Sequence, residues 1–242
     1  MHLGIKLVVA SSIALVLLPG LAAFAAPPAQ KDLKEVLQQL DTAAAGFRST
    51  SADFVFVTVQ TDPVYDKDTQ KGIVYYKRNG KAFQMAAHIR FEANGDEKDQ
   101  PVPKDIIYSG GKVTLYEKLT NQVTVKDAAK YESYLLLGFG ASGKELADKW
   151  DIKYLGSEPL SDGKTSIATD KLELVAKDPD VKKLFPKVTI WIDPARAVSL
   201  KQVFDEGQGQ TRTCYYSNIK LNLSLPDSDF TFKSDSQTKT VK

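Results

Sequence analysis

From Ala52 onward the sequence is a succession of short runs rich in Val, Ile, Thr, Tyr and Phe, divided by Gly, Asn, Asp and Pro. No other feature limits the fold as much. "ADFVFVTVQ", "GIVYYKR", "KAFQMAAHIRFE", "DIIYSGGKVTLYEK" and "NQVTVKD" follow one another with turns or a single polar loop, "ANGDEKDQPVPKD", between them. β-Branched and aromatic residues suit a pleated, half-buried surface, so each run is predicted to be strand. "DIKYLGS", "KTSIATDKLELVAKD", "KVTIWIDPARAVSLKQVFDEGQGQTRTCYYSNIKLN" and "DFTFKS" continue the series, for about ten or eleven strands in all. The connections are too short for βαβ crossovers, so the strands belong to one antiparallel sheet. A sheet that wide must curl, close or split.

Turn chemistry and alternation orient the strands. Asn79-Gly80, Gly110-Gly111, Asp193-Pro194 and Gly207-Gln208-Gly209 mark tight turns. In "KAFQMAAHIRFE", Phe83, Met85, Ala87 and Ile89 share one face, with Gln84, His88 and Arg90 on the other. The same period places Val74 and Tyr76 on the side of Arg78. Phe54 and Phe56 oppose Val55 and Val57, and alternation alone leaves open which pair faces inward. Two segments read as helical: Asp32 to Phe47, with an apolar stripe through Val36, Leu37, Leu40 and Ala44, and about Ala128 to Trp150. The inventory fits a mainly β fold with helices, in which a strongly curved antiparallel sheet has its concave apolar face partly plugged by two helices. A cavity lined by aromatic and aliphatic side chains is the consequence.

The N-terminus reads as a signal peptide. Lys6 precedes the apolar run "LVVASSIALVLL", Pro19-Gly20 breaks it, and Ala23-Phe24-Ala25 offers a cleavage site. Cleavage after Ala25 is expected to leave an exported single domain, residues 26–242, with a retained N-terminal anchor as the alternative. The whole chain has 32 Lys and Arg against 30 Asp and Glu, a balance without the electrostatic footprint of nucleic-acid binding. Cys214, the one cysteine, can form no internal disulfide and is expected to pack as a small buried residue.

Motifs that would carry chemistry mostly fail. Gly138, Gly143 and Lys144 have the spacing of a phosphate-binding loop, but Glu145 stands where a hydroxyl should hold Mg²⁺, and the all-β context is wrong. The stretch is expected to be a turn. "DKDTQKG" begins like a calcium loop, then puts Lys71 at the obligatory glycine and Lys77 at the bidentate glutamate. Outside the leader His88 stands alone and reads as a solvent-facing strand residue, so a multi-histidine zinc site is excluded. No metal, cofactor or catalytic residue is nominated; a binding protein is expected rather than an enzyme. A hydrolase with dispersed carboxylates is the competing reading.

The ordered set of segments resembles the periplasmic outer-membrane lipoprotein carriers, the LolA-like chaperones. The similarity runs through "DFVFVTVQ", "GIVYYKRNGKAFQM", "DIIYSGGKVTLYEKLTNQVTV", "LELVAKDP" and the closing strands from "VTIWIDPARAVSL" to "DSDFTFK". It implies an incomplete, half-open β-barrel with a helical lid, whose cavity takes acyl chains of lipidated proteins or lipids. It also implies partners: an inner-membrane ABC transporter that releases lipoproteins and an outer-membrane acceptor, with the carrier itself a monomer. Arg78 matches the family arginine that bonds lid backbone and latches the empty form, although Asn79 stands where the family commonly has proline. Val74, Tyr76, Phe83, Met85 and Ile89 are the candidate cavity lining. Leu135, Leu136, Leu137 and Phe139 are the candidate inner face of the lid. A binding protein for another apolar ligand, such as a glycolipid or polyprenyl lipid, is the alternative.

Overall fold

The computed structural model describes residues 31–80 and 82–241; the expected leader, residues 1–25, lies outside them. Helix α1 (Leu33–Ala45) opens the described chain. Its first turn is capped by Asp32, whose carboxylate accepts from the Glu35 N–H, and its stripe buries Val36 and Leu40. Strands β1 (Ser49–Gln60), β2 (Asp66–Asn79), β3 (Ala82–Asn94), β4 (Gln100–Ser109), β5 (Lys112–Glu117) and β6 (Gln122–Asp127) then run as a meander. A 3-10 turn (Ala129–Tyr131) and helices α2 (Glu132–Leu135) and α3 (Gly143–Lys149) interrupt it. Strands β7 (Trp150–Ser161) and β8 (Ser166–Ala176) follow. Helix α4 (Pro179–Leu184) leads to β9 (Lys187–Asp193), β10 (Val198–Gly207) and β11 (Gln210–Leu221), and β12 (Lys239–Val241) ends the series.

The twelve strands of the described residues form one sheet, ordered β12-β6-β5-β4-β3-β2-β1-β11-β10-β9-β8-β7. Every pairing is antiparallel except β12 with β6. Strand β11 returns beside β1, which joins the N-terminal meander to the C-terminal one, while β12 and β7 remain free edges. The sheet is therefore open.

Register assigns the two faces. Directly paired residues project to the same side, so Cys214, Gln202, Ile190 and Leu172 share a face with Phe56 across β11, β10, β9, β8 and β1. The helices pack on that face. Val36 and Leu40 of α1, Leu146 of α3 and Val181 of α4 bury against Leu174 and Ile190. Beside them, Phe139 and Tyr108 join Phe54, Tyr76 and Met85 in a second cluster. On the opposite face Leu225 and Phe230 cover Ala86 and Ile107.

Four departures from the sequence reading have local causes. The stretch 128–150 is not one helix: Gly138 and Gly140 adopt φ values of 77° and 71°, which break it into two short pieces. "QPVPKD" is strand rather than loop, because Pro101 sits opposite Phe91 beside a register shift, where a missing N–H is tolerated. Helix α4 lies outside the two expected helical segments, yet Asp178 caps it and Pro179 opens it, a readable start signal. "DFTFKS" does not form the closing strand. It begins in a 3-10 turn, Asp227–Phe230, and lies over the sheet with Phe230 buried and Phe232 stacked on Tyr116 at 4.7 Å.

Candidate binding cavity

A cavity of about 440 Å³, partly open to solvent, lies on the helix-bearing face over β1, β2, β3 and β11. Two-residue alternation builds its floor. Phe54, Phe56 and Thr58 descend β1 on one side, paired across to Tyr216, Cys214 and Arg212 of β11. Val55 and Val57 face away, which decides the direction that alternation left open. On β2 the same face carries Asp68, Gln70, Val74 and Tyr76, and on β3 Met85 and Ile89. The calcium-like stretch from Asp66 is thus the first half of β2, and two of its polar residues border the cavity. An i, i+2 series running back from Tyr76 to Asp68 is the signal that locates them.

Residues 132–139 form the cover. Tyr134 and Leu135 border the cavity directly, and Leu136 packs partly buried against the aromatic cluster below. Phe139 is fully buried, stacked on Tyr76 at 4.1 Å and edge-on to Tyr216 at 4.7 Å. Leu137 turns to the other cluster, with α1 and β8. Phe83 stacks on Tyr76 at 5.8 Å and leans on Tyr108 at 5.7 Å, one step behind the cavity wall.

Polar ties hold this cover. Gln202 Nε2 donates to the Leu137 carbonyl at 2.6 Å and its Oε1 accepts from the Tyr216 hydroxyl at 3.2 Å. The Gly140 N–H donates to the Ala197 carbonyl, and the Ser199 N–H to the Gly138 carbonyl. The Tyr108 hydroxyl donates to the Glu132 carboxylate. Arg78 reaches Glu145 of α3 with two N–H groups, at 3.0 and 3.4 Å, so its partner is a side-chain carboxylate rather than helix backbone. Partial burial pushes the Glu145 carboxyl up. The hydrogen bonds from Arg78 and Ser142 and the Arg78 charge outweigh it and hold the carboxyl below its ordinary value.

The apolar part of the wall carries no ionised group. Burial raises the hydroxyls of Tyr76 and Tyr216 far above the usual tyrosine range and pushes the Cys214 thiol up to about 12. Cys214 is buried and inert as a nucleophile. Charge is confined to one end: Arg212 pairs with Glu206 at 2.9 Å beside Tyr134, and Asp68 stands two strands away.

The other motifs resolve into structure. In the glycine-rich stretch, a Cβ on Gly143 would come within 2.2 Å of the Leu37 carbonyl oxygen, so this glycine lets α3 lie against α1. The Lys144 N–H donates to Asp41 and the Glu145 N–H to the Ser142 hydroxyl, in a capping box. Donors a phosphate would need are already engaged. His88 is only partly exposed: Nδ1 lies 2.6 Å from Asp105 Oδ1 and Nε2 2.8 Å from the Asp229 carbonyl oxygen. Both ring nitrogens are engaged, on the face away from the cavity. Among the described residues no cluster of three or more His, Cys, Asp or Glu could hold a metal ion. Nor is any described helix long and apolar enough to cross a membrane.

Fold and cavity together define a mainly β protein, one broad open sheet with short helices over an apolar pocket. No protein-family model matches the chain, and no curated protein is similar enough to count as a relative. Among solved structures, an uncharacterized conserved protein from Thermus thermophilus is similar at 13% identity and a TM-score of 0.50, over 87% of this chain and 99% of that one. A DUF1329 family protein from Desulfovibrio piger matches at 12% identity and a TM-score of 0.45, over 82% and 95% of the two chains. A LolA superfamily protein from Nitrosomonas europaea matches at 16% identity and a TM-score of 0.41, over 84% and 98%. At 13% identity the likeness to the Thermus thermophilus protein is one of fold.

Proposed function

We propose that the protein is a periplasmic carrier that shelters the acyl chains of lipidated proteins or lipids between two membranes. The sheet acts as a half-barrel, and residues 132–149 act as its lid. The reading rests on one observation above all: the apolar cavity is bounded by side chains of a short helical segment that lies across the sheet. Sheltering a chain from water is worth about 0.8 kcal/mol per buried CH₂. A carrier must also release its cargo. Here Phe139 and Leu135 fill apolar space that a longer guest would want, so closing the lid competes with binding and lowers net affinity.

Arg78 serves in this scheme as the latch, through Glu145. Val74, Tyr76, Met85 and Ile89 are the surface that an acyl chain touches first. The donor would be an inner-membrane ABC transporter and the recipient an outer-membrane acceptor. The protein binds rather than catalyses, and it acts as a monomer.

The test is to incubate the purified protein with spheroplasts of a bacterium making a tagged lipoprotein, then to examine the soluble fraction by native mass spectrometry. A one-to-one complex with the lipidated protein supports the proposal. Free lipid alone on the protein moves the reading to a lipid carrier, and neither species refutes it.

A further inference from the structure

The cavity is greasy at one end only. Along β1 the floor changes from Phe54 and Phe56 to Thr58, and along β2 from Tyr76 and Val74 to Gln70 and Asp68. Register sets Arg212, Thr58 and Asp68 side by side on β11, β1 and β2. Adjacent strands lie ~4.8 Å apart, so a cation and an anion flank one hydroxyl across about 10 Å of rim.

Both charges have unused capacity. Arg212 meets Glu206 through one terminal nitrogen, while its Nε is buried without an acceptor. Lys104, the cation near Asp68, is taken by Glu92 at 2.8 Å, and Gln70 bonds that same Glu92. Asp68 therefore borders the cavity without an ion-pair partner among the described residues. A purely anionic head would meet this carboxylate, and a purely cationic head would meet Arg212.

Taking the carrier reading as its basis, we infer that the cavity reads its guest's head group. The guest is a single-chain zwitterionic amphiphile of the phosphoethanolamine type, with its phosphate at Arg212, its ammonium at Asp68 and its tail over Phe54, Met85 and Ile89. The volume agrees with one chain. About 440 Å³ lies in the lower part of the ~300–1,000 Å³ range of pockets that enclose one small molecule. A guanidinium suits phosphate because its fixed fork of donors matches the oxygens.

The experiment measures binding of palmitate, palmitoyl-lysophosphatidic acid and palmitoyl-lysophosphatidylethanolamine to the delipidated protein by calorimetry, each below its micellar concentration. The zwitterion is expected to bind about tenfold tighter than palmitate, the scale of one charge-assisted hydrogen bond. D68N should erase the advantage of lysophosphatidylethanolamine over lysophosphatidic acid. R212M and R212K should each weaken both phospholipids more than palmitate, whose tail contacts they leave in place, and the residual palmitate binding reports that the variants are folded. Equal affinity for all three lipids, or an unchanged order in the variants, overturns the head-group inference and leaves the carrier intact. Binding of none of them overturns both.

Discussion

Replacing Glu145 with Gln isolates the latch. Ser142 caps α3 through its hydroxyl and donates its own N–H to Glu145 Oε2 at 2.9 Å; a Gln carbonyl accepts that bond equally well. What E145Q removes is the charge opposite Arg78, whose side chain is 22% exposed while that of Glu145 is 51% exposed. A paired, two-point contact argues for the upper part of the range for surface ion pairs, and solvent screening at half-exposed Glu145 argues against more. We expect ~0.5–1 kcal/mol of coupling in an R78M/E145Q double-mutant cycle read by urea denaturation. If the cover and the guest compete for the same space, that energy reappears in binding. Affinity for a fluorescent fatty acid should rise about two- to fivefold in E145Q. Added salt should narrow the gap by tightening binding in the wild type more than in the variant. Measurable coupling with unchanged fatty-acid affinity would show that the pair stabilises the fold without guarding the cavity. No coupling at all would refute the latch outright.

Three further outcomes follow from the geometry. The hydrogen bond to Asp105 chiefly, opposed by burial and aided by the Asp229 carbonyl, raises the His88 pKa above its ordinary value. A raised folded pKa means that His88 contributes full stability below about pH 6.5 and loses it as pH rises through the folded pKa. Protection factors across residues 225–232, taken relative to intrinsic exchange at each pH, should fall over that window, and H88Q should remove that fall. G143A should destabilise by ~1–3 kcal/mol or more in urea titrations, because the Leu37 backbone cannot yield as a side chain can. K144A should bind no more and no less ATP than the wild type in equilibrium dialysis; a measurable ATP affinity lost in the variant would revive a nucleotide role for this loop.

The β-rich character, the hairpins, helix α1 and the shared side of Val74, Tyr76, Met85 and Ile89 could be read along the chain, because each follows from a period of two or 3.6 residues and from local turn chemistry. So could the failure of the phosphate loop, since Glu145 sits next to Lys144 in any fold. Short-range pattern says nothing about which distant segments meet. That β11 lies beside β1, and so brings Arg212 level with Thr58 and Asp68, is a pairing between residues about 150 positions apart. The inward turn of Phe54, the partnership of Arg78 with Glu145 and the partial covering of His88 by the C-terminal segment are likewise settled by tertiary neighbours. A strand's alternation defines two faces but not which one is covered; only the elements that pack against it supply that choice.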